Sequence, residues 1–131
     1  MALKNRKKPG DSNEGVGIGV DIEDIERFRM DSAESKRFLK RVYTLREIDY
    51  CLSKADPAQH LAARFAGKEA IIKAMSGFGR KIGYHAIEII NEPGGKPIVI
   101  LGKSYERFTF QISISHCKDK AVAFVLGFQD R

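Results

Sequence analysis

Residues 16–22 alternate without a break, with Val16, Ile18, Val20 and Ile22 on one side of an extended chain and Gly17, Gly19 and Asp21 on the other. This predicts a strand whose apolar side faces the core. The opposite side carries two glycines, so it is open to close approach, and Asp21 lies near its end. From Glu23 to about Ser53 the pattern becomes helical, and Thr44-Leu45-Arg46-Glu47 has the spacing of a capping box, with Thr44 at the N-cap. A long helix is expected from Asp56-Pro57 through Leu61, Ala62, Phe65, Ala66, Ile72 and Met75, stopping at Ser76-Gly77. The second half reads as strands over 86–91, 97–101, 108–115 and 121–128. A turn at 92–96 joins the first two, and a short loop at 116–120 joins the last two. The order β, α, α, β, β, β, β predicts an α+β fold, with helices packed on a mostly antiparallel sheet.

The chain has 131 residues and is 43% hydrophobic, which fits one domain with a real core and argues against disorder or a fibre. Residues 1–14 are polar, basic and rich in turn formers, so they read as a flexible arm before a single domain at 15–131. No apolar run approaches the ~18 residues of a membrane span, and the start carries no signal-peptide segment. Cys51 and Cys117 form neither a disulfide framework nor a CxxC pair. The expectation is a reduced, soluble, cytoplasmic protein. Twenty-three Lys+Arg against 17 Asp+Glu give a net charge of +6, which favours polyanions or an acidic protein surface as partners.

Several chemistries can be set aside. The glycines of the first strand lack the third glycine of a dinucleotide fingerprint, since Ile22 stands there. His60, His85, His116 and the cysteines lack the close spacing of common zinc motifs. Nucleic acid is disfavoured, because the 108–115 strand does not interleave aromatics in the manner of an RNA-binding sheet.

What remains centres on the long helix. Glu69 and Lys73 stand at i, i+4, an arrangement worth roughly 0.3–0.5 kcal/mol as a solvated salt bridge. Phe65, Ala66 and Ala70 around them place the pair at the border of the apolar stripe instead. A carboxylate there that met Asp21 would make a two-carboxylate oxygen site suited to Mg²⁺. His116 closes a strand, a common place for a functional group and equally for a turn residue. Arg27, Arg29, Lys36, Arg37, Lys40, Arg41 and Arg46 cluster in the first helical region, either as a solvated face or as a docking surface for an acidic partner.

Taken together the segments resemble the holo-acyl-carrier-protein synthase family, the small trimeric 4′-phosphopantetheinyl transferases. Gly17-Ile18-Gly19-Val20-Asp21-Ile22 resembles the family's G-I-G-x-D-I strand. Arg64-Phe65-Ala66-Gly67-Lys68-Glu69-Ala70-Ile71-Ile72-Lys73-Ala74 resembles its R-F-A-x-K-E-A-x-x-K-A helix. Ser113-Ile114-Ser115-His116 with Ala121-Val122-Ala123 is similar to its C-terminal S-I-[ST]-H hairpin, and Gly95-Lys96-Pro97 is a weaker fourth match. The likeness covers about residues 16 to 128.

The resemblance implies transfer of the 4′-phosphopantetheine arm of coenzyme A to a serine of apo-acyl carrier protein, releasing adenosine 3′,5′-bisphosphate. It implies that Asp21 and Glu69 hold Mg²⁺ and that Lys73 neutralises the transferring phosphoryl group. Glu69, or a water of the metal, would take the serine proton. Coenzyme A would be held by Arg64, Lys68, Lys73, Ser76, Gly77, Lys96, Pro97 and His116. Arg27 and Arg37 would grip the acidic carrier protein, and the enzyme would be a homotrimer with His116 supplied across the subunit boundary. The chain departs from the family pattern in three places. The loop Ser76-Gly77-Phe78-Gly79 is shorter than the usual G-T-G-I-G, and the basic arm before Gly15 has no counterpart. Glu23 is an acid where the trimeric enzymes commonly carry an uncharged residue, which makes it a candidate third metal ligand. A basic nucleic-acid or carrier-protein binding module that kept the fold without the chemistry would have no need of Asp21, Glu69 and Lys73 together.

Overall fold

The computed structural model describes residues 15–29 and 33–130, so the arm at 1–14 lies outside the described residues. Strand β1 (Val16–Asp24) runs into a 3-10 turn at Ile25–Phe28, followed by α1 (Ala33–Val42), α2 (Leu45–Leu52) and the long α3 (Pro57–Ser76). Strands β2 (Ile87–Asn91), β3 (Pro97–Leu101), β4 (Phe108–His116) and β5 (Lys120–Gln129) complete the order. The fold is α+β, as expected, but its strands form two sheets: a three-stranded β1-β5-β4 sheet and a separate β2-β3 hairpin, with every pairing antiparallel.

Helix α3 is the axis of the molecule. Its alanines and apolar residues are buried on nearly every side, which is the behaviour of a central helix and not of one with a solvated face. Ala66, Ala70, Ile71, Ala74 and Met75 pack with Ile87, Ile89, Phe110, Ala123 and Val125 in one core. Leu61 and Ala62 pack with Ile25, Phe28, Val42, Tyr43 and Cys51 in a second. The capping box forms in full: the Glu47 amide donates to Thr44 Oγ1 at 3.2 Å and the Thr44 amide to Glu47 Oε1 at 2.9 Å.

The first strand reverses the expectation. Its apolar side faces outward, with Ile18 64% and Ile22 61% exposed, and its glycine side faces the core. The reason is steric. A Cβ on Gly19 would stand 1.9 Å from the Ala70 carbonyl oxygen, and one on Gly17 2.8 Å from that of Ala74. Only a strand without side chains lets α3 lie that close, so the glycines select the face the helix takes. Asp21 shares this face and is therefore aimed at α3.

Two smaller differences follow from the same region. Strand pairing with β5 persists through Glu23 and Asp24, so the helical region begins later than its sequence pattern suggests. His116 is the last residue of β4, paired with Ala121, and is not a loop residue.

Candidate active site

Register and helix phase bring an acidic cluster together where β1 meets the C-terminal half of α3. Asp21 and Glu23 leave β1 on the glycine side, opposite the buried Ala123 and Ala121 of β5. Lys73 donates to the Val20 carbonyl at 3.0 Å and to Asp21 Oδ1 at 3.2 Å. It thus pairs across the β1–α3 contact, not with Glu69 on its own helix, and the simple i, i+4 salt bridge gives way to a tertiary one. Glu69 instead accepts from the Tyr84 hydroxyl at 2.6 Å. Burial first, and then the hydrogen bond to Glu69, push the Tyr84 phenol up to about 12, so at neutral pH it is a donor.

Glu23 belongs to the same cluster. It is nearly buried, and its carboxyl is pushed up to about 7, first by burial and then by the Asp21 carboxylate beside it. Glu69 adds to this repulsion, while Arg27, 3.0 Å away, opposes it. Both cations of the cluster are largely in solvent, Lys73 with 55% and Arg27 with 65% of the side chain exposed. They therefore offset the buried negative charge only weakly. One atom stands out: Asp21 Oδ2 is buried and has no hydrogen-bond partner. A buried carboxylate oxygen without a donor costs about 1–3 kcal/mol or more unless a cation meets it.

This donor set fits a hard divalent cation. All the available atoms are carboxylate oxygens, and the orphaned Oδ2 calls for a positive partner. Among the described residues no group of three or more His, Cys, Asp or Glu side chains forms a ready cage. Mg²⁺ does not need one, since it is usually held by one or two carboxylates together with waters and substrate phosphates. Asp21 and Glu69, with Glu23 beside them, could supply those carboxylates.

The cationic residues expected to meet coenzyme A are distributed less simply. Lys68 is fully buried, with its ammonium 2.6 Å from Glu47 and donating to the carbonyls of Val42 at 2.7 Å and Tyr84 at 3.0 Å. Burial pulls its pKa down, and Glu47 opposes that pull. A phosphate contact by Lys68 is corrected by this placement, because all three of its N–H donors are already used inside the fold. Arg64 is also buried. It donates to the Ile89 carbonyl at 3.1 Å and to Asn91 Oδ1, and it stacks over Tyr50 with its guanidinium 4.3 Å from the ring centre. Unlike Lys68 it still reaches a cavity of about 190 Å³, which Arg46, Tyr50 and Asn91 also line.

Asn91 in turn donates to the Gly95 carbonyl at 2.8 Å, which ties the 92–96 turn, with exposed Lys96 and half-buried Pro97, to that cavity. Ser76 and Gly77 end α3, the Ser76 hydroxyl donating to the Lys73 carbonyl at 2.7 Å. His116 is exposed and lies 2.8 Å from Gln59. Gln59 is ten residues before Glu69, about 15 Å along the helix axis, so within one chain His116 is set well apart from Glu69. Arg27 and Arg37 are exposed, as a docking face requires.

Tyr84 and Glu47 were invisible as site residues in the sequence. Glu47 carried a cap signal only, and nothing marked Tyr84.

Comparison with known proteins agrees with this geometry. The family model of the 4′-phosphopantetheinyl transferase superfamily matches residues 17–125. A holo-[acyl-carrier-protein] synthase of Chlorobaculum parvum is 50% identical over 111 residues, covering 83% of this chain and 95% of that protein. The corresponding synthase of Protochlamydia amoebophila is 44% identical over 117 residues, covering 85% and 96%. Among solved structures, a Bacillus anthracis holo-(acyl-carrier-protein) synthase in complex with CoA (3′,5′-ADP) superposes with a TM-score of 0.72 at 30% identity, over 91% of this chain and all of that one. The Helicobacter pylori synthase in complex with coenzyme A gives 0.70 at 31% identity, over 82% and 96%.

Proposed function

The chain belongs to the 4′-phosphopantetheinyl transferase superfamily, and on that premise we propose that it is a holo-acyl-carrier-protein synthase. It transfers the 4′-phosphopantetheine arm of coenzyme A to a serine hydroxyl of apo-acyl carrier protein and releases adenosine 3′,5′-bisphosphate. The observation that carries the reading onto this chain is the Asp21–Glu23–Glu69 cluster, with its partnerless Asp21 oxygen beside a solvent-reaching Lys73.

The serine oxygen attacks phosphorus in a charged pyrophosphate, so positioning and charge neutralisation dominate the barrier. Asp21 and Glu69 would hold Mg²⁺, which would neutralise pyrophosphate charge there. Lys73 is anchored at Asp21 and the Val20 carbonyl and has exposed length to spare, so its ammonium can follow the phosphoryl oxygens. Glu69 keeps one oxygen on Tyr84 and would turn the other to the cation, so the serine proton would pass to a water held beside them. Arg64 and Arg46 bring positive charge to the cavity that they line with Asn91, a place suited to the remaining phosphate of coenzyme A. Exposed Arg27 and Arg37 form the docking face for the acidic carrier.

The assembly is proposed to be a homotrimer. Support comes from the outward apolar face of the three-stranded sheet, where Val16, Ile18, Val20 and Ile22 lie beside Phe124 and Phe128, a larger apolar stripe than a monomer usually leaves in water. The separation of His116 from Glu69 within one chain also favours a site completed by a neighbour.

Incubation with coenzyme A, Mg²⁺ and an apo-acyl carrier protein, followed by mass measurement of the carrier, tests the activity. An unmodified carrier overturns the reading. For the assembly, inactive Asp21→Ala and His116→Ala chains refolded together recover at most about a quarter of wild-type activity if sites are shared around a three-fold axis. No recovery from verified mixed trimers defeats the shared site and leaves the metal chemistry standing.

A further inference from the structure

Tyr84 opens the short 3-10 turn Tyr84–Ala86 that leads into β2, outside every motif of the site. Its hydroxyl meets Glu69 Oε1 at 2.6 Å, and its ring packs on Phe65 with centres 5.8 Å apart. Its own carbonyl accepts from the Lys68 ammonium at 3.0 Å. That ammonium is fixed in turn by Glu47 and the Val42 carbonyl. Tyr84 is therefore held at its backbone by the buried Lys68–Glu47 pair and at its ring by Phe65, while its hydroxyl points at the carboxylate expected to work.

We propose that Tyr84 is a positioning residue for this enzyme, holding Oε1 of Glu69 so that Oε2 is presented to the divalent cation. The inference rests on the synthase reading above. A glutamate side chain is rich in rotamers, and fixing it has an entropic cost that a pre-formed hydrogen bond removes from the binding step. Partners of this kind typically change metal affinity by about 10–100-fold when removed. The assignment separates two roles that a bare carboxylate would have to combine: one oxygen tied to the fold, the other free for chemistry.

The test is Tyr84→Phe in the full chain, which keeps the ring against Phe65 and removes only the hydroxyl. Binding of Mn²⁺, followed by loss of the free-ion paramagnetic resonance signal, should weaken about 10–100-fold. Excess Mg²⁺ should restore turnover, with the KM for coenzyme A unchanged and Tm nearly so. An unaltered Mn²⁺ midpoint in Tyr84→Phe overturns the proposal. So does a turnover loss that excess metal cannot restore. If the wild-type chain transfers nothing and binds no Mn²⁺, the synthase reading fails first and takes the proposal with it. If Tyr84→Phe does not fold, tyrosine labelled with ¹³C at Cζ serves in its place. One tyrosine resonance should move on adding Mg²⁺ to wild type and stay fixed in Glu69→Gln. No tyrosine response in wild type, or the same response in Glu69→Gln, overturns the assignment.

Discussion

Neighbouring residues of α3, Lys68 and Glu69, enter two acidic neighbourhoods built in opposite ways. Lys68 meets Glu47 in a pair with no solvent exposure on either side chain, and the Glu47 carboxylate also receives the amides of Thr44 at 2.9 Å and Ile89 at 2.8 Å. Charge and hydrogen bonds close on themselves there. Around Glu69, by contrast, the nearby Asp21 and Glu23 face two cations that lie mostly in water, and one buried oxygen has no donor at all. The closed pair fixes α2 and β2 onto α3. The open cluster carries negative charge that the chain alone does not neutralise. A buried ionic group is thus a fastening where its partners are complete, and a site where they are missing.

The sharpest way to break this comparison is to remove a member of the open cluster. Asp21→Ala or Glu69→Ala should lower turnover by about a thousandfold or more, the scale of several kcal/mol of transition-state charge stabilisation. Circular dichroism and Tm should stay near wild type. Full turnover in Glu69→Ala would show that the cluster is not catalytic.

Lys68→Met tests the closed pair. It strands the Glu47 carboxylate in the core and should cost about 3–5 kcal/mol in denaturant unfolding. Adding Glu47→Gln should return part of that loss, because the uncompensated charge disappears. A mild effect of Lys68→Met, with a strong rise in the KM for coenzyme A, would restore Lys68 to the ligand-binding set.

A smaller and pH-dependent effect is expected at Glu23. Its folded pKa of about 7 lies above the ordinary 4.5, so the folded chain holds this proton more tightly than the unfolded one. The stabilisation is fully present below about 4.5 and is lost as pH rises through about 7. Without divalent metal, Glu23→Gln should therefore be more stable than wild type at pH 8 by about 1–3 kcal/mol and no different at pH 4. Adding Mg²⁺ should narrow the gap. Parallel stability profiles from pH 4 to 8 would show that Glu23 does not sense the cluster.

The exposed cations should matter least to stability and most to partner choice. Reversing Arg37 to Glu should raise the KM for the carrier by about 2–5-fold and fade with added salt, as solvent-exposed charge pairs do. The KM for coenzyme A should hardly move. Equal changes for both substrates would remove Arg37 from a docking face.

Much of this was legible in the chain. The Thr44–Glu47 cap, the limits of α3 and the spans of β3 and β5 followed from local chemistry that acts within a few residues. The alternation in β1 was equally clear, yet it did not say which side was inside. Val16, Ile18, Val20 and Ile22 have the composition of a core face, and in a single chain they are outside. The glycines were the better guide, because close backbone approach excludes side chains whatever their hydrophobicity. Lys68 sat in the middle of the most telling motif, and nothing around it distinguished a buried tie from a phosphate ligand. Tyr84 carried no signal at all.

The sequence by itself determined the Thr44 cap, the limits of α3 and the span of β3, that Asp21 lies on the glycine side of β1, and that Glu69 and Lys73 are one helical turn apart. Those are matters of period and capping, decided by covalent neighbours. Only the tertiary structure decided that Lys73 leaves Glu69 for Asp21, that Glu23 joins the cluster, that Lys68 is consumed by Glu47 and that Tyr84 holds Glu69. Each depends on partners brought together from α2, α3, β1 and the turn before β2. Burial then sets how strongly those partners interact, because charges removed from water are screened little and must find their counterparts through space.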